Sequence, residues 1–333
     1  MDAVIHWFSA SGNTARAAEA VAAKLAATGY VVSRVAIAAN GQPPAEIPDL
    51  TVLAFPIWSW AAPHFVLNHA RRLPRAKGAQ AAILATCGGF GAQGVGEAAR
   101  ILRRRGYRVG CSGEAVYPDS WTLAVNPPAG TELAAALAKG DAQVTQFADR
   151  LLSGAPAVQR CTFFQVLWSW PMAMLFRTLG RRFMGKFFIA DEACTSCGQC
   201  VAYCPVRAIR LEGTLARPRW NAGCAGCYRC INLCPARAIQ ISIARLAIHL
   251  GVNLALTVGW LWAMAEWRER LSLALVTTSA AFAALTVLQL TALDGLLHGL
   301  ERRPALRRFF AASYTKRFGR YRAPGFRPEK SGG

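Results

Sequence analysis

The stretch CTSCGQCVAYCP, Cys194 to Pro205, recurs thirty positions later as CAGCYRCINLCP, Cys224 to Pro235. Each copy reads C-x2-C-x2-C-x3-C-P, the spacing that holds iron–sulfur cubanes. Short two-residue gaps let three thiolates wrap one cluster from a single turn of chain, and the fourth cysteine reaches the cluster of the other copy. The pattern predicts two [4Fe-4S] clusters in a small α+β domain over 191–243. Cluster one takes Cys194, Cys197, Cys200 and Cys234, and cluster two takes Cys204, Cys224, Cys227 and Cys230. Zinc ribbons also use C-x2-C pairs, but zinc gains nothing from the trailing proline or the doubled repeat. The other three cysteines, Cys87, Cys111 and Cys161, read most simply as small buried apolar residues.

Upstream, residues 1–152 alternate short apolar runs with helical patterns. Strands are expected at Ala3–Phe8, Val31–Ile37, Thr51–Phe55, Gln80–Thr86 and Tyr107–Val116, with helices at Thr14–Ala27, Pro63–Arg72, Gly94–Arg105 and Thr131–Leu152. Five strands with intervening helices fit an α/β fold, a doubly wound parallel sheet of flavodoxin-like order. Between the first strand and helix lie Ser9-Ala10-Ser11-Gly12-Asn13-Thr14. Hydroxyls and a glycine at a helix N-terminus converge donors on a phosphate, where the helix dipole favours an anion. In such a sheet the ligand sits at the carboxyl ends of the strands. The loops Pro56-Ile57-Trp58-Ser59-Trp60 and Thr86-Cys87-Gly88-Gly89-Phe90-Gly91 are therefore expected to hold a flavin ring, with Trp58 and Trp60 as stacking candidates. Gly89 to Gly94 also reads G-x-G-x-x-G with Glu114 downstream. It follows the fourth strand instead of the first, which disfavours a nicotinamide site.

The phosphate loop is similar to that of flavodoxins, which implies flavin mononucleotide (FMN) as the ligand. The order of features over residues 1 to about 240 resembles a family of bacterial and archaeal flavodoxin and two-cluster ferredoxin fusion proteins. The motifs that carry the resemblance are FPIWSWAAPH at Phe55 to His64, ATCGGFG at Ala85 to Gly91, YPDSW at Tyr117 to Trp121 and FFIADEACTSCGQC leading into the first cysteine run. The resemblance implies a ferredoxin-like fold behind the flavin domain and electron passage between the two along one polypeptide.

Apolar residues make up 53% of the chain and charged residues 17%, against about a quarter charged in soluble domains. Two uncharged stretches, Leu246–Ala265 and Leu271–Leu293, each suffice to cross a hydrocarbon core and predict a hairpin over 244–300. The joining loop, Glu266 to Arg270, carries charges that cancel, and Trp260, Trp262 and Trp267 cluster there as an aromatic belt. Net charge is +20, and the tail 301–333 holds ten Lys or Arg against two Glu. Positive flanks at Arg245 and in the tail put both hairpin ends on the cytoplasmic side. The absence of an N-terminal signal pattern points the same way. Aromatics among the tail cations are expected to lie on anionic lipid headgroups, with no nucleic acid as partner. Residues 153–190 form a connector whose uncharged Cys161–Phe176, broken by Pro171, predicts an interfacial helix.

Together these expectations describe an electron relay at the cytoplasmic membrane face, serving redox partner proteins that the sequence does not identify. The alternative is an FMN-dependent reductase of a small organic substrate, fed by the clusters, with His64 or Asp119 as proton donor.

Overall fold

The structure, a computed structural model, describes residues 1–266 and 271–330. The expected hairpin loop at 267–270, with Trp267, and the last three tail residues lie outside the described residues. The first 152 residues build five strands, β1 (Asp2–Trp7), β2 (Val31–Ala36), β3 (Leu50–Pro56), β4 (Gln80–Cys87) and β5 (Arg108–Val116), in the order β2-β1-β3-β4-β5, all parallel. That is the flavodoxin-like order. The central strands β3 and β4 are continuous apolar runs and are buried almost throughout, as strands covered on both faces must be. Helices α1 (Asn13–Ala27) and α4 (Gly130–Leu152) cover one face through Val21, Leu25, Val144 and Phe147, while α2 (His64–Arg72) and α3 (Gly94–Arg104) cover the other through Phe65, Leu67, Ala98 and Leu102.

The connector holds α5 (Phe163–Leu175), a π turn at Phe176–Gly180 and the short α6 (Arg181–Met184). A Thr162–Gln165 capping box starts α5. A helix therefore exists where an interfacial one was expected, and one side of it packs on the flavin-domain loops: Trp168 meets Trp60 edge-on with ring centroids 4.7 Å apart. Phe163, Phe164, Leu167 and Trp170 remain exposed.

Behind it, β6 (Phe188–Ala190) pairs antiparallel with β9 (Ile239–Ile241), and β7 (Ile209–Glu212) with β8 (Arg217–Trp220). Each cysteine run carries one helical turn, α7 (Gln199–Ala202) or α8 (Arg229–Asn232), so the sequence repeat is also a structural one. This domain begins at β6, a little before the expected boundary at 191.

Next come α9 (Ile243–Glu266) and α10 (Leu271–Leu288), the latter continued by a π turn and α11 (Asp294–Glu301), and then α12 (Pro304–Phe310). Ile243–Glu266 and Leu275–Glu301 are long and apolar enough to cross a membrane, with mean hydropathy 1.5 and 1.7. Only 6% and 28% of their apolar windows are covered by the rest of the protein.

Two sequence expectations are corrected here. Arg245 is not a free flanking charge: it is buried, donates to Asp294 and, at 2.7 Å, to Glu301, and shares Asp294 with buried Lys186 at 2.7 Å. This network ties the hairpin base to the cluster domain. The tail aromatics do not all face outward either. Phe310, Tyr321 and Phe326 are buried, Tyr314 and Phe318 are half-buried, and Phe309 alone of the six is exposed. The tail runs back across the cluster domain, where the Thr315 hydroxyl accepts from the Ile241 amide at 3.1 Å, and ends in the flavin-domain core beside Ala17 and Val21. Burying three aromatic rings outweighs leaving them wet.

Candidate redox site

Both predicted cysteine sets assemble. Cys194, Cys197, Cys200 and Cys234 line one cavity, and Cys204, Cys224, Cys227 and Cys230 line another. Cys200 lies within electrostatic range of Cys194, Cys197 and Cys234, and Cys230 of Cys204, Cys224 and Cys227. Among the described residues, no group of three or more His, Cys, Asp or Glu is placed to hold a single metal ion. Four thiols instead surround a space, as a multi-iron cluster requires. Backbone amides of Ala208 and Ala238 approach the Cys204 and Cys234 sulfurs at 3.2 and 3.4 Å, which favours thiolates and tunes a bound cluster. Burial pushes the Cys200 and Cys224 thiols up to about 12 and Cys227 up to about 11. A metal cluster bound among them would hold these sulfurs as thiolates against that burial. The first set is the outer one, with Cys197 exposed, whereas Cys204 and Cys224 are buried.

The flavin loops form a third cavity, of about 560 Å³, at the carboxyl ends of the strands. Of the predicted residues, Ile57, Trp58, Trp60, Cys87, Gly88, Gly89 and Phe90 line it, while Pro56 and Thr86 do not. Cys87 is thus more than a small core residue. Trp58 also packs edge-on to Phe8 at 5.8 Å, whereas Trp60 stands in a cluster with Phe90 and Trp168. The backbone holds Ser59 and Trp60 at positive φ, 47° and 60°, which turns the loop over the cavity. Of the rest of the lining, sequence reasoning gave a role only to Asp119, as a proton donor in the reductase reading, and to Cys227, as a cluster ligand. Asp119, Ser120 and Trp121 come from the loop after β5, Met172, Leu175, Phe176, Gly180 and Met184 from the connector, and Gly226, Cys227 and Tyr228 from the second cysteine run. The YPDSW motif was a signal for the first group; a connector helix folding over the mouth left none.

The phosphate loop stands apart from that cavity but is joined to it. Thr14 Oγ1 and Thr86 Oγ1 are 2.7 Å apart, and Asn13 donates to the Pro118 carbonyl at 2.9 Å. Ser9, Ser11 and Thr14 are buried, and Gly12 takes φ +111°. Helix α1 has no side-chain cap and no acid in its first turn, so its leading N–H groups lack an intrahelical acceptor. This donor set fits a phosphate. In the G-x-G-x-x-G run, Gly89 faces open space, while a Cβ on Gly91 would lie 2.5 Å from Glu114 and one on Gly94 would lie 2.3 Å from Ile57. His64 does not line the ring cavity; burial and then Arg181 lower it to about 4.

Neighbouring cavities share walls. Cys227 and Tyr228 border both the ring cavity and the second cysteine cavity, and Arg229 and Cys230 border both cysteine cavities. Polar contacts fix this stack. Trp121 Nε1 donates to the Tyr228 hydroxyl at 3.1 Å, and Asn232 donates to the Ser120 carbonyl at 3.0 Å.

A 4Fe-4S binding domain family matches residues 187–210, and a second 4Fe-4S binding domain family matches 221–237. No curated protein matches the chain. Among solved structures, the flavodoxin of Streptococcus pneumoniae TIGR4 is similar at 17% identity, covering 46% of this chain and 97% of that one, with a TM-score of 0.31. Flavodoxin 1 from Bacillus cereus gives 18% identity, 46% and 98% coverage and 0.33. A flavodoxin from the domain Archaea gives 14%, 44% and 99%, and 0.29. The chain thus joins a flavodoxin-like sheet, defined by its own strand order, to two 4Fe-4S binding segments.

Proposed function

We propose that this protein relays single electrons between FMN and two [4Fe-4S] clusters at the cytoplasmic face of a membrane. The observation that carries the proposal is the shared wall at Cys227 and Tyr228, where one cavity is lined by flavin loops and by a cluster ligand. FMN and the clusters supply the one-electron chemistry. Ser9, Ser11, Gly12, Asn13 and Thr14 bind the phosphate, and the loops around Trp60, Cys87 to Phe90 and Asp119 to Trp121 hold the ring. Cys194, Cys197, Cys200 and Cys234 hold cluster one, and Cys204, Cys224, Cys227 and Cys230 hold cluster two.

The shared walls support an order in which cluster two lies between the ring and cluster one. Exposed Cys197 makes cluster one the end at which a redox partner protein docks. Among the described residues, Asp119 is the one carboxylate lining the ring cavity, and its Oδ1 accepts from the Trp121 amide at 2.9 Å. It fastens a loop, which favours a relay over a proton-donating reductase. The basic residues beyond the hairpin support a cytoplasmic placement.

Anaerobic purification from membranes after a high-salt wash tests the reading. About one FMN and eight irons per chain are expected. A Cys227→Ser variant that keeps its flavin should lose most flavin reduction by electrons entering at the clusters. Zinc in place of iron, or undiminished flavin reduction in that variant, overturns the relay.

A further inference from the structure

A cavity of about 320 Å³ lies where the second apolar helix meets the cluster domain, between the β7–β8 turn and α11–α12. Its walls include Glu212, Arg217, His298, Glu301, Arg302 and Arg307. Three of these side chains bring a buried nitrogen without a hydrogen-bond partner: Arg217 Nε, His298 Nε2 and Arg307 Nη2. His298 is only 8% exposed. Buried unpaired polar atoms are rare in native proteins, and three on one cavity point to a missing acceptor.

The two carboxylates do not supply it. Glu301 is engaged by Arg245 at 2.7 Å and by His298 Nδ1. Glu212 accepts from Arg219 at 3.2 Å and lies 3.6 Å from both Arg302 Nη2 and His298 Nε2, beyond hydrogen-bond reach. With Arg219 and Arg245 balancing the acids, Arg217, Arg302 and Arg307 leave the cavity cationic. Guanidinium forks match tetrahedral oxyanions bidentately. The cavity also sits at Glu301, where the apolar helix Leu275–Glu301 ends; on the proposed reading that this helix spans a membrane, that end lies at the level of the lipid phosphates.

We propose that this cavity binds a phosphate group, either that of an anionic lipid headgroup or that of a soluble phosphate. The test titrates the full cofactor-loaded chain in maltoside micelles with dioctanoyl phosphatidic acid and, separately, with inorganic phosphate. Saturable binding is expected, weakened on the order of tenfold by Arg307→Gln and unchanged by Arg308→Gln, an exposed neighbour outside the cavity. Lipid binding that inorganic phosphate fails to displace assigns the headgroup, and binding of inorganic phosphate with the same sensitivity to Arg307→Gln assigns the soluble anion. Arg302→Gln, at a half-exposed position, serves if Arg307→Gln does not fold. No saturable binding of either probe by the unmodified chain overturns the proposal, as does equal weakening by Arg307→Gln and Arg308→Gln.

Discussion

The amide of Ala323 donates to the carbonyl of Ser11 at 2.8 Å, fastening the C-terminal tail to the phosphate loop over three hundred residues upstream. Around it, the Tyr321 hydroxyl bonds Asn13, and a Cβ on Gly12 would lie 2.6 Å from Ala323 and 2.7 Å from Phe326. The tail is therefore a brace behind the loop that is proposed to hold FMN phosphate.

Removing the brace should loosen the flavin. Phe326→Ala is expected to cost about 3 kcal/mol of local stability. FMN affinity should fall with it, read as faster recovery of free-flavin fluorescence on dilution. Gly12→Ala should act more strongly, because its backbone lies at φ +111° and the added carbon collides with the tail. Unchanged flavin retention in both variants would mean the tail only covers the core.

The lid over the ring cavity is pinned by a two-pronged ion pair. Arg177, in the π turn that follows α5, gives two bonds of 2.6 Å to Glu97 of α3. Glu97→Gln should release the connector and speed quenching of bound flavin by a soluble quencher. The cluster absorbance should stay as it is, because neither residue borders a cysteine cavity.

Arg229 is buried, lines both cysteine cavities and lies over the Phe8 ring at 5.7 Å. A fixed cation beside a cluster stabilises its reduced, more negative form. Arg229→Gln is expected to lower the cluster potentials, on the order of tens of millivolts, in an electron-spin-resonance redox titration. A rise in potential would contradict this electrostatic role.

Acid should weaken the flavin domain through two buried rings. His69 Nε2 and His6 Nδ1 are 3.0 Å apart. Burial, then His69, lowers His6 to about 3, and burial, then Arg72, lowers His69 to about 4. Both titrate near 6.5 when unfolded. The unfolded chain therefore binds more protons between about 4 and 6.5, and stability rises with pH across that window. The contribution is whole above pH 6.5 and falls by about 1.4 kcal/mol per unit for each ring below it. Denaturant midpoints at pH 7, 6 and 5 should show this slope, and His69→Gln should flatten it.

The sheet was legible because its signal is local. Apolar runs such as Thr51–Phe55 and Gln80–Thr86 place β3 and β4 to within a residue or so of their observed limits. The cysteine sets were legible for another reason, since the spacing itself carries the geometry. What stayed hidden depends on contacts between distant segments. Nothing periodic marks Met172 or Leu175 as cavity residues, and the irregular spacing of Tyr321, Ala323 and Phe326 carries no helical or strand pattern. Composition alone read those tail residues as lipid-facing, because sequence does not disclose which surface a ring will find. Arg245 misled in the same way: its charge is visible in sequence, while the Asp294 that cancels it lies forty-nine positions away.

Between them, the five consecutive residues Gly226 to Cys230 reach all three cavities, Cys227 and Tyr228 bordering the ring and second cysteine cavities and Arg229 and Cys230 the two cysteine cavities. A substitution at any of Cys227 to Cys230 is therefore felt at two neighbouring centres, so adjacent potentials cannot be adjusted one at a time from there. Independent adjustment has to come from the periphery: Trp60 and Phe90 for the ring, and the surroundings of Cys197 for the outer cluster. The middle of the stack is then the part least free to vary.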